Sequence, residues 1–457
     1  MTSDVWGDEY RVVREAMDWA QGRVVRETDP KATARSAQEL RAAAGRTVCA
    51  AGIGGLEALR LFTDVFEPAT RAQDDPMNLA YVPSAPTRAS VAFDFVTSAA
   101  NVFGGMWETG AGAIFAENEA LAWLVELLGW PQTAGGCFVA GGTSGNLSAL
   151  VAAREAALAR RGSRPDHGWQ LVCTAEVHSS IRSMARVLDV AIVEVPGDDR
   201  GRMTGEQLEL ILNAHPDVFA VVATAGTTNA GLIDDLCGIA DTCAAHGVWM
   251  HVDGAYGGAG LAAPSVRALY EGVERADSFI VDPHKWLFAP YDCCALLYRD
   301  PALARAAHAQ NANYLDTIDR EVWNPADLAV HLSRRVRGLP FWFSLATHGT
   351  DRYAAAVEQT LDIARQVAEA IRSSSHLELV CEPQLSVLLF RRLGWGPEDY
   401  HQWSQRLAHA GTILCLPTTW LGETVLRLVF VNPATNPERV IEVLRTLDQP
   451  PISTPSE

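Results

Sequence analysis

The sequence has no segment that would carry the chain into or across a membrane. Its N-terminal stretch, MTSDVWGDEYRVVREAMDW, is acidic and helically periodic, without the basic start and apolar run of a signal peptide. The same stretch has no apolar run of transmembrane length. We therefore expect a soluble, cytoplasmic protein that does not contact a membrane.

Metal-binding and disulfide patterns are missing as well. The nine cysteines are odd in number and scattered, without a CxxC pair or a Cys/His cluster, and the twelve histidines show no HExxH spacing. These absences argue against a disulfide framework and against a zinc site. We expect no bound metal.

Positive charge is scarce in this chain. It has 37 Lys and Arg residues against 55 Asp and Glu residues, which gives a formal net charge of -18. Such a charge repels polyanions, so a small molecule is the expected partner and nucleic acid is not. The GxxxxGK[ST] pattern of P-loops is absent, and no GxGxxG follows the first strand, which argues against an NAD-dependent enzyme.

What is present predicts a large α/β protein. The 457 residues, 48% hydrophobic and 20% charged, can bury a sizeable core and exceed one compact domain. From about residue 85 to residue 300, short apolar runs alternate with helical patterns, which indicates a mostly parallel sheet covered on both faces. We predict strands at Cys137–Ala140, Trp169–Cys173, Ala191–Val195, Val218–Thr224, Val248–Val252, Ser278–Val281 and Ala295–Tyr298.

The domain organisation follows from the same patterns. The clearest crossover unit joins two of these strands through a helix over Asp234–Ala245, with Asp234 as its predicted N-cap. After about residue 335, long helices and strands at Leu377–Cys381, Ser386–Arg391 and Val425–Phe430 indicate a smaller domain. We predict an N-terminal helical arm at 1–80, a large domain at 81–335, a small C-terminal α/β domain at 336–450 and a disordered tail at 451–457.

One lysine is the first candidate for chemistry. Lys285 follows the short apolar strand of SFIVDPHKWLFAPYDCCALLYR, where Trp286, Leu287 and Phe288 can shield its amine from water. Desolvation lowers the pKa of a lysine and frees its lone pair to attack a carbonyl. The alternative is an ordinary lysine at the end of a strand.

Four other strand ends offer groups that suit a phosphorylated pyridine cofactor. The glycine-rich turn AGGTSGN leads into a helix whose N-terminus favours a phosphate. Asp253 ends an apolar strand and either pairs with a protonated pyridine nitrogen or caps the next loop. His178, at a predicted helix start, either faces a ring or is only a neighbour of the cap. Thr228 offers a hydroxyl to a ligand or to a turn.

Five motifs, taken in chain order, closely resemble the group II pyridoxal-phosphate decarboxylases, the family of aromatic-L-amino-acid and glutamate decarboxylases. They are AGGTSGN, EVHSS, ATAGTTNAG, HVDGAYGG and DPHKWLFAPYDC. The segments YVPSAPT, ENEALAWLVELLGWP and LSRRVRGLPFWFSLATHG extend the resemblance over most of the chain, and PHKWL followed by a D-C pair favours the aromatic branch. The resemblance implies an α/β fold of type I, pyridoxal 5'-phosphate as the cofactor, and a homodimer with shared active sites.

Carried over residue by residue, the resemblance implies a complete site. Lys285 would form the internal aldimine, Asp253 would pair with the pyridine nitrogen, and His178 would stack on the ring, which makes these three the catalytic residues. The other cofactor contacts would be Gly142, Thr143 and Ser144 at the phosphate, Thr228 and Ala255 at the ring, and His284 at the phosphate or the substrate carboxylate. The substrate contacts would be Tyr81, Pro83 and Ser84, with Phe103 and Trp107 reaching from the neighbouring subunit.

The resemblance implies decarboxylation of an L-amino acid to an amine and carbon dioxide. Aromatic, branched aliphatic and acidic substrates all stay open, and the absence of an added basic cluster in the pocket segments favours aromatic or apolar ones. One departure leaves the product open. The family carries a loop tyrosine that protonates the product carbon, but residues 315–334 contain no tyrosine. Its position falls at Pro325, with Trp323 nearby and Tyr314 upstream. The alternative is therefore oxidative decarboxylation with deamination to an aldehyde, unless His178 or a water supplies the proton.

Two further departures concern the pocket. Asp282 stands where the animal enzymes have an asparagine near the phosphate, and a carboxylate there is repulsive unless it gains a cationic partner. Val82 replaces a bulky aromatic residue in the substrate segment. A cofactor-binding protein without catalysis is a third possibility, which the intact Lys285, Asp253 and His178 disfavour.

Overall fold

A seven-stranded sheet is the centre of the computed structural model, which describes residues 10–26, 28, 34–309 and 324–448. Its strands are β1 (Gly135–Val139), β2 (Gln170–Thr174), β3 (Ala191–Val195), β4 (Val218–Thr224), β5 (Trp249–Asp253), β6 (Ser278–Val281) and β7 (Cys294–Tyr298). Three of them, β3, β4 and β6, have the bounds predicted from the sequence, and the others agree to within two residues at each end.

The direction of the strands brings six carboxyl ends to one edge of this sheet. The strand order is β1-β7-β6-β5-β4-β2-β3, and the five strands from β6 to β3 are parallel. Strand β7 is antiparallel to both β6 and β1, so β1 points the same way as the parallel strands. The prediction of a mostly parallel sheet is confirmed. In such a sheet, ligands bind beyond the carboxyl ends of the strands.

Helices cover both faces of the sheet. Along β4, Val221 and Ala223 belong to one hydrophobic core while Ala220 and Val222 belong to a second, because alternate side chains of a strand point to opposite faces. The helices are α1 (Tyr10–Val25), α2 (Ala37–Ala44), α3 (Gly55–Leu61), α4 (Arg88–Ala100), α5 (Trp107–Leu128), α6 (Gly142–Arg161), α7 (Ser179–Leu188), α8 (Gly205–Ala214), α9 (Leu236–His246), α10 (Pro283–Trp286), α11 (Pro301–His308), α12 (Leu339–His348), α13 (Thr350–Arg372), α14 (Pro397–His409) and α15 (Pro437–Arg445).

A second, smaller sheet lies toward the C-terminus. Its four antiparallel strands are β8 (Leu377–Leu379), β9 (Val387–Arg392), β10 (Leu416–Trp420) and β11 (Glu423–Val429), in the order β10-β11-β9-β8. Strand β10 was not predicted from the sequence, because LPTTW contains a proline and only one residue of it is buried. The strand pairs with β11 alone, and such an edge position tolerates a proline.

The crossover helix between β4 and β5 corrects one sequence prediction. Helix α9 is capped by Asp235, whose carboxylate accepts a hydrogen bond of 3.0 Å from Gly238 N, and not by Asp234. Asp234 points inward and accepts from Met203 N at 2.8 Å and from Thr224 N at 2.7 Å. Burial raises the pKa of Asp234 to about 7, although both backbone bonds favour its charged form. The carboxylate therefore fixes the loop at the end of β4 instead of starting the helix.

The arrangement of the two sheets supports the expected large and small α/β units. The first sheet lies within residues 135–298 and the second within residues 377–429. The domain boundaries at residues 80 and 335 stay predictions, and the tail at 451–457 lies outside the described residues. In the part of the chain that the structure describes, no helix is long and apolar enough to cross a membrane.

Candidate active site

A cavity of about 360 Å³ lies at the carboxyl edge of the large sheet. It is formed by the residues that follow β1, β2, β4, β5 and β6, together with those that precede β7. This is the location expected for a ligand of an open α/β sheet. The structure brings together here all nine residues that the sequence assigned to the cofactor, which are Gly142, Thr143, Ser144, His178, Thr228, Asp253, Ala255, His284 and Lys285.

One wall of the cavity is the N-terminus of α6. Gly141 occupies the N-cap position, and no side chain caps the helix there, so its first N–H groups can bind an anion. Gly142 is tightly packed, because a Cβ atom at this position would be 3.2 Å from Asp282 Oδ2 and 3.3 Å from Ala255 Cβ. With Thr143 and Ser144 beside it, this turn is a suitable cradle for a phosphate.

Asp253 ends β5 with its carboxylate held from both sides. Oδ2 accepts a 2.9 Å hydrogen bond from Asn146 Nδ2, and Oδ1 accepts a 3.0 Å bond from the backbone N–H of Ala255. The residue is only 5% exposed. Two hydrogen-bond donors therefore hold this carboxylate in place, in a position that suits a cation in the cavity.

Asn146 receives its orientation from a chain of hydrogen bonds that begins on β5 and β6. Trp249 Nε1 donates to Ser278 Oγ at 2.8 Å, and the hydroxyl of Ser278 is 2.8 Å from His251 Nδ1. His251 Nε2 is 2.8 Å from Asn146 Oδ1. Because the indole can only donate, each following group donates in the same direction, and the amide of Asn146 is left to donate to Asp253. His251 is thus a buried histidine with both ring nitrogens hydrogen-bonded.

We expect His251→Gln to flatten the acid side of the stability profile. Burial lowers the pKa of His251 to about 4 from an ordinary value of 6.5, against a smaller opposing effect of Asp253. Between these pH values the unfolded chain binds a proton that the folded chain does not, so the stabilisation is complete above pH 6.5 and is lost as the pH falls toward 4.

The expected loss for the wild-type protein is on the order of 3 kcal/mol relative to the glutamine variant. Urea unfolding of both proteins at several pH values in this range measures the difference. Parallel profiles for the two proteins would contradict the prediction.

His178 both caps a helix and faces the cavity. Its Nδ1 atom accepts a 3.2 Å hydrogen bond from Ser180 N at the start of α7, and Ser180 Oγ is 2.8 Å away. Because Nδ1 accepts from a backbone donor, the neutral ring carries its proton on Nε2. The two interpretations left open by the sequence are therefore compatible, and the cap fixes the ring that lines the cavity.

Lys285 lies opposite the glycine-rich turn and is paired. Its Nζ atom is 2.9 Å from Asp282 Oδ2, within a short helix, α10, whose Trp286 is fully buried. Burial by itself would lower the pKa of Lys285, but the charge and hydrogen bond of Asp282, with the charge of Asp253, outweigh it, so the pKa is raised. The expectation of a lowered lysine pKa was wrong, because the sequence did not show that Asp282 faces the amine.

His284 and Tyr291 close the side of the cavity next to this lysine. The two rings lie 4.8 Å apart, and His284 Nδ1 is 2.8 Å from the carbonyl oxygen of Cys293. Burial lowers the pKa of His284, despite the opposing charge of Asp282, whose Oδ2 atom lies 3.6 Å from Nε2. Tyr291 was not singled out by the sequence, although it belongs to the APYDC run.

The five predicted substrate residues do not line this cavity. All five are described in the structure, and each lies outside the lining of the cavity that one chain forms. Tyr81 is 66% exposed, and its carbonyl accepts a 2.8 Å bond from Arg427, which reaches across from β11. Pro83 is buried, and Ser84 Oγ donates to Ala289 O at 3.0 Å, beside a second cavity that also contains Tyr291. Half-buried positions are occupied by Phe103 and Trp107.

The segment that should contain the loop tyrosine is described only from residue 324 onward. Pro325, at the family's tyrosine position, is buried in a short 3₁₀ turn, and its carbonyl is 3.1 Å from His331 Nε2. The neighbouring Asn324 accepts a 2.8 Å bond from the backbone N–H of Trp107. Trp323 and Tyr314 lie outside the described residues.

The cavity fits pyridoxal 5'-phosphate. It combines an uncapped helix N-terminus for a phosphate, a carboxylate held for a pyridine nitrogen, and a lysine amine. Two buried oxygens at its wall, Thr224 Oγ1 and Asp282 Oδ1, have no hydrogen-bond partner among the described residues, as expected where a polar ligand binds. Within the described part of the chain, no group of three or more His, Cys, Asp and Glu side chains is arranged to hold a metal ion.

Comparison with known proteins agrees with this geometry. The profile of the pyridoxal-dependent decarboxylase conserved domain matches residues 59–393. The chain is 30% identical to aromatic-L-amino-acid decarboxylase of Bacillus atrophaeus over 83% of its own length and 82% of that protein. It is 36% identical to L-2,4-diaminobutyrate decarboxylase of Rhizobium meliloti, with 79% and 74% covered.

Solved structures give the same result. Oryza sativa TDC with PLP and tryptamine superposes with a TM-score of 0.89 at 25% identity, covering 98% of both chains. Mouse CSAD has a TM-score of 0.84 at 26% identity, covering 96% of this chain and 98% of the other. The protein is therefore a PLP-dependent amino-acid decarboxylase that belongs to the pyridoxal-dependent decarboxylase family.

Proposed function

We propose that the enzyme decarboxylates an aromatic or apolar L-amino acid to the corresponding amine. The observation that carries the proposal is the assembly of Lys285, Asp253 and His178 around one cavity. The bound cofactor supplies a ring that accepts the electron pair released when the carboxyl group leaves. The roles of the side chains in this reaction follow from their positions.

Each of the three residues has a separate task in the proposed reaction. The amine of Lys285 would hold the cofactor covalently between turnovers. Asp253, fixed by Asn146 and Ala255, holds a positive charge at the inner end of the cavity. His178 presents Nε2–H, since its Nδ1 is engaged by Ser180, and keeps one face of the ring in place.

The charges that line the cavity support the choice of substrate class. Lys285 is the one Lys or Arg residue among the residues that line it, while Asp253, Asp282 and Asp292 are carboxylates. A substrate with an acidic side chain would be repelled by these carboxylates, and the described lining of the cavity has no further Lys or Arg to pair with it. The similarity to the Bacillus atrophaeus enzyme supports aromatic substrates, whereas the similarity to the Rhizobium meliloti enzyme supports a diamino acid.

A second candidate function is oxidative decarboxylation with deamination, which yields an aldehyde. It is favoured by one observation, the absence of a tyrosine in residues 315–334, with a buried proline at the expected position. Where no proton reaches the product carbon, its electron pair stays available for oxygen. The two functions share the same cofactor and the same lysine.

The experiment is a screen of the twenty amino acids and L-2,4-diaminobutyrate, with carbon dioxide, amine, aldehyde, peroxide and ammonia all measured. Amine equal to carbon dioxide from an aromatic substrate supports the proposal. Aldehyde with peroxide and ammonia supports the second function. Turnover of L-2,4-diaminobutyrate alone would show that the proposed substrate class is wrong.

We also propose a cytoplasmic homodimer. Exposed apolar side chains on neighbouring helices, such as Phe95 and Val96 on α4 and Phe115 on α5, suit a subunit interface. In the dimer, Phe103 and Trp107 would complete the substrate pocket of the neighbouring subunit. All nine cysteines are free thiols, which suits a reducing compartment. Light scattering of the purified protein tests the dimer, and a monomer at working concentration would contradict it.

A further inference from the structure

Asp282 is an unusual neighbour for the catalytic lysine. Its side chain is 2% exposed, and Oδ2 lies 2.9 Å from Lys285 Nζ. Two backbone bonds fix the turn, since Asp282 N donates to Ala255 O at 3.0 Å and Lys285 N donates to Asp282 O at 2.8 Å. Oδ1 has no hydrogen-bond partner among the described residues. A buried carboxylate with one free oxygen is costly unless its cationic partner stays charged.

Among the titratable groups that face Lys285, the carboxylates of Asp253 and Asp282 are the ones that carry charge near pH 7. Burial raises the pKa of Tyr291 and of Cys294, so both stay neutral near pH 7. Burial also lowers the pKa of His284, which favours its neutral ring. Asp253 points to the inner end of the cavity, where Asn146 and Ala255 hold it. Asp282 is therefore the direct partner of the ammonium.

We propose that Asp282 keeps Lys285 protonated whenever this amine is not bound covalently, so that Lys285 delivers the proton to the carbon that has lost carbon dioxide. This inference rests on the proposed function. In the step, one N–H bond of the ammonium breaks and a C–H bond forms with the electron pair left by the carboxyl group. The lysine becomes a neutral amine, which is the form that can bond to the cofactor again.

The proposal accounts for the missing tyrosine of the loop. Pro325, at the position of that tyrosine, has no acidic side-chain proton, and it is buried in the 3₁₀ turn Pro325–Asp327. Lys285 is a proton donor that the chain retains, and it lies where the substrate amine must displace it. Asp282, at a position where the animal enzymes have an asparagine, supplies the negative charge that keeps the proton on nitrogen until the carbon takes it.

The first experiment measures the lysine in the full chain freed of cofactor. The chain has only two lysines, so a Lys31→Arg background leaves Lys285 as the sole lysine for acetylation, followed by mass spectrometry at several pH values. Asp282→Asn keeps the shape and removes the charge. We expect acetylation near pH 7 to become at least about tenfold faster, since a close carboxylate holds a pKa up by one unit or more.

Asp292→Asn is the matched control. It removes the same charge from the same cavity, but Asp292 pairs with Arg337 at 3.2 Å and not with Lys285. We expect little change in the acetylation of Lys285 in this variant. If Asp282→Asn does not fold, Asp282→Ser removes the charge with a smaller side chain and is measured in the same way.

The second experiment measures amine and carbon dioxide from the loaded enzyme. We expect Asp282→Asn to form at least about tenfold less amine for each carbon dioxide released than the wild-type enzyme does. Unchanged acetylation would overturn the pairing, and faster acetylation with an unchanged amine yield would overturn proton delivery by Lys285. If the wild-type enzyme releases no carbon dioxide from any amino acid, the proposed function fails and proton delivery fails with it, while acetylation still tests the ion pair.

Discussion

Lys285→Ala is expected to lower turnover by roughly three to six orders of magnitude, the range typical for loss of a covalent catalytic group. The variant should also lose covalent attachment of the cofactor. The reason is that Lys285 is the one lysine among the described residues, and no other amine lines the cavity there. An alanine leaves the phosphate cradle of α6 and the carboxylate of Asp253 intact, so the cofactor can still bind without a covalent bond.

The measurement combines turnover with reduction by borohydride, which fixes a covalently held cofactor to its lysine. Wild-type protein should carry the cofactor on the peptide that contains Lys285. Lys31→Ala is the control, because it removes the only other lysine of the chain, and it should keep both turnover and labelling. A Lys285→Ala enzyme with more than about a tenth of the wild-type turnover would disprove the role of this lysine.

The sequence was sufficient to locate the large sheet and the groups at its edge. Parallel strands that are buried on both faces appear in the sequence as continuous apolar runs. Val218–Thr224 and Ser278–Val281 could therefore be identified from the sequence pattern alone. Each strand end then carries its polar residue to the same edge, which is why motifs far apart in the chain meet in one cavity. The glycine-rich turn, Asp253 and Lys285 follow this rule.

The hydrogen-bond and ion-pair partners of these groups could not be predicted from the sequence, because they depend on how distant segments pack together. Asn146 lies inside the quoted AGGTSGN motif, yet its contact with Asp253 depends on the packing of α6 across β5. Asp282 and Lys285 are three residues apart, a spacing that brings side chains together in a helix or a tight turn but not in a strand. The short helix α10 does so.

Two further signals were available in the sequence. The chain contains only Lys31 and Lys285, so a lysine in a conspicuous motif carries more weight than it would in a lysine-rich protein. A second carboxylate, Asp235, directly follows the predicted cap Asp234 and is the one that caps α9. The choice between them needed the positions of Met203 N and Thr224 N, which draw Asp234 inward.

The largest effect on stability is expected at a buried ion pair next to the site. Glu117 on α5 and Arg334, in the LSRR segment, are each 2% exposed at their side chains. Arg334 Nη2 is 2.6 and 2.7 Å from the two carboxylate oxygens, and Nη1 donates to Gly104 O at 2.9 Å. Glu117 also accepts a 2.8 Å bond from Gly338 N. The ion pair therefore connects the segment around Arg334 to α5 and to the backbone next to Phe103.

Glu117→Ala should lower the free energy of unfolding by about 3 to 5 kcal/mol, because it leaves a buried guanidinium without its counter-charge. Asp94→Ala is the matched control. It breaks the ion pair of Asp94 with Arg335, the residue that follows Arg334. The side chain of Arg335 is 36% exposed and that of Asp94 is 29% exposed, so the loss should cost about 1 kcal/mol or less. Urea unfolding of the three proteins measures both values.

A double variant separates the charge from the packing. Glu117→Leu with Arg334→Met removes both charges and keeps apolar volume, so it should be less destabilised than Glu117→Ala, although Gly338 N and Gly104 O each lose a partner. Because the pair holds the backbone beside Phe103, we also expect Glu117→Ala to raise KM for the substrate at temperatures where the protein is still folded. If Glu117→Ala costs no more than Asp94→Ala, the pair does not hold the two segments together, and the position of Phe103 must depend on other contacts.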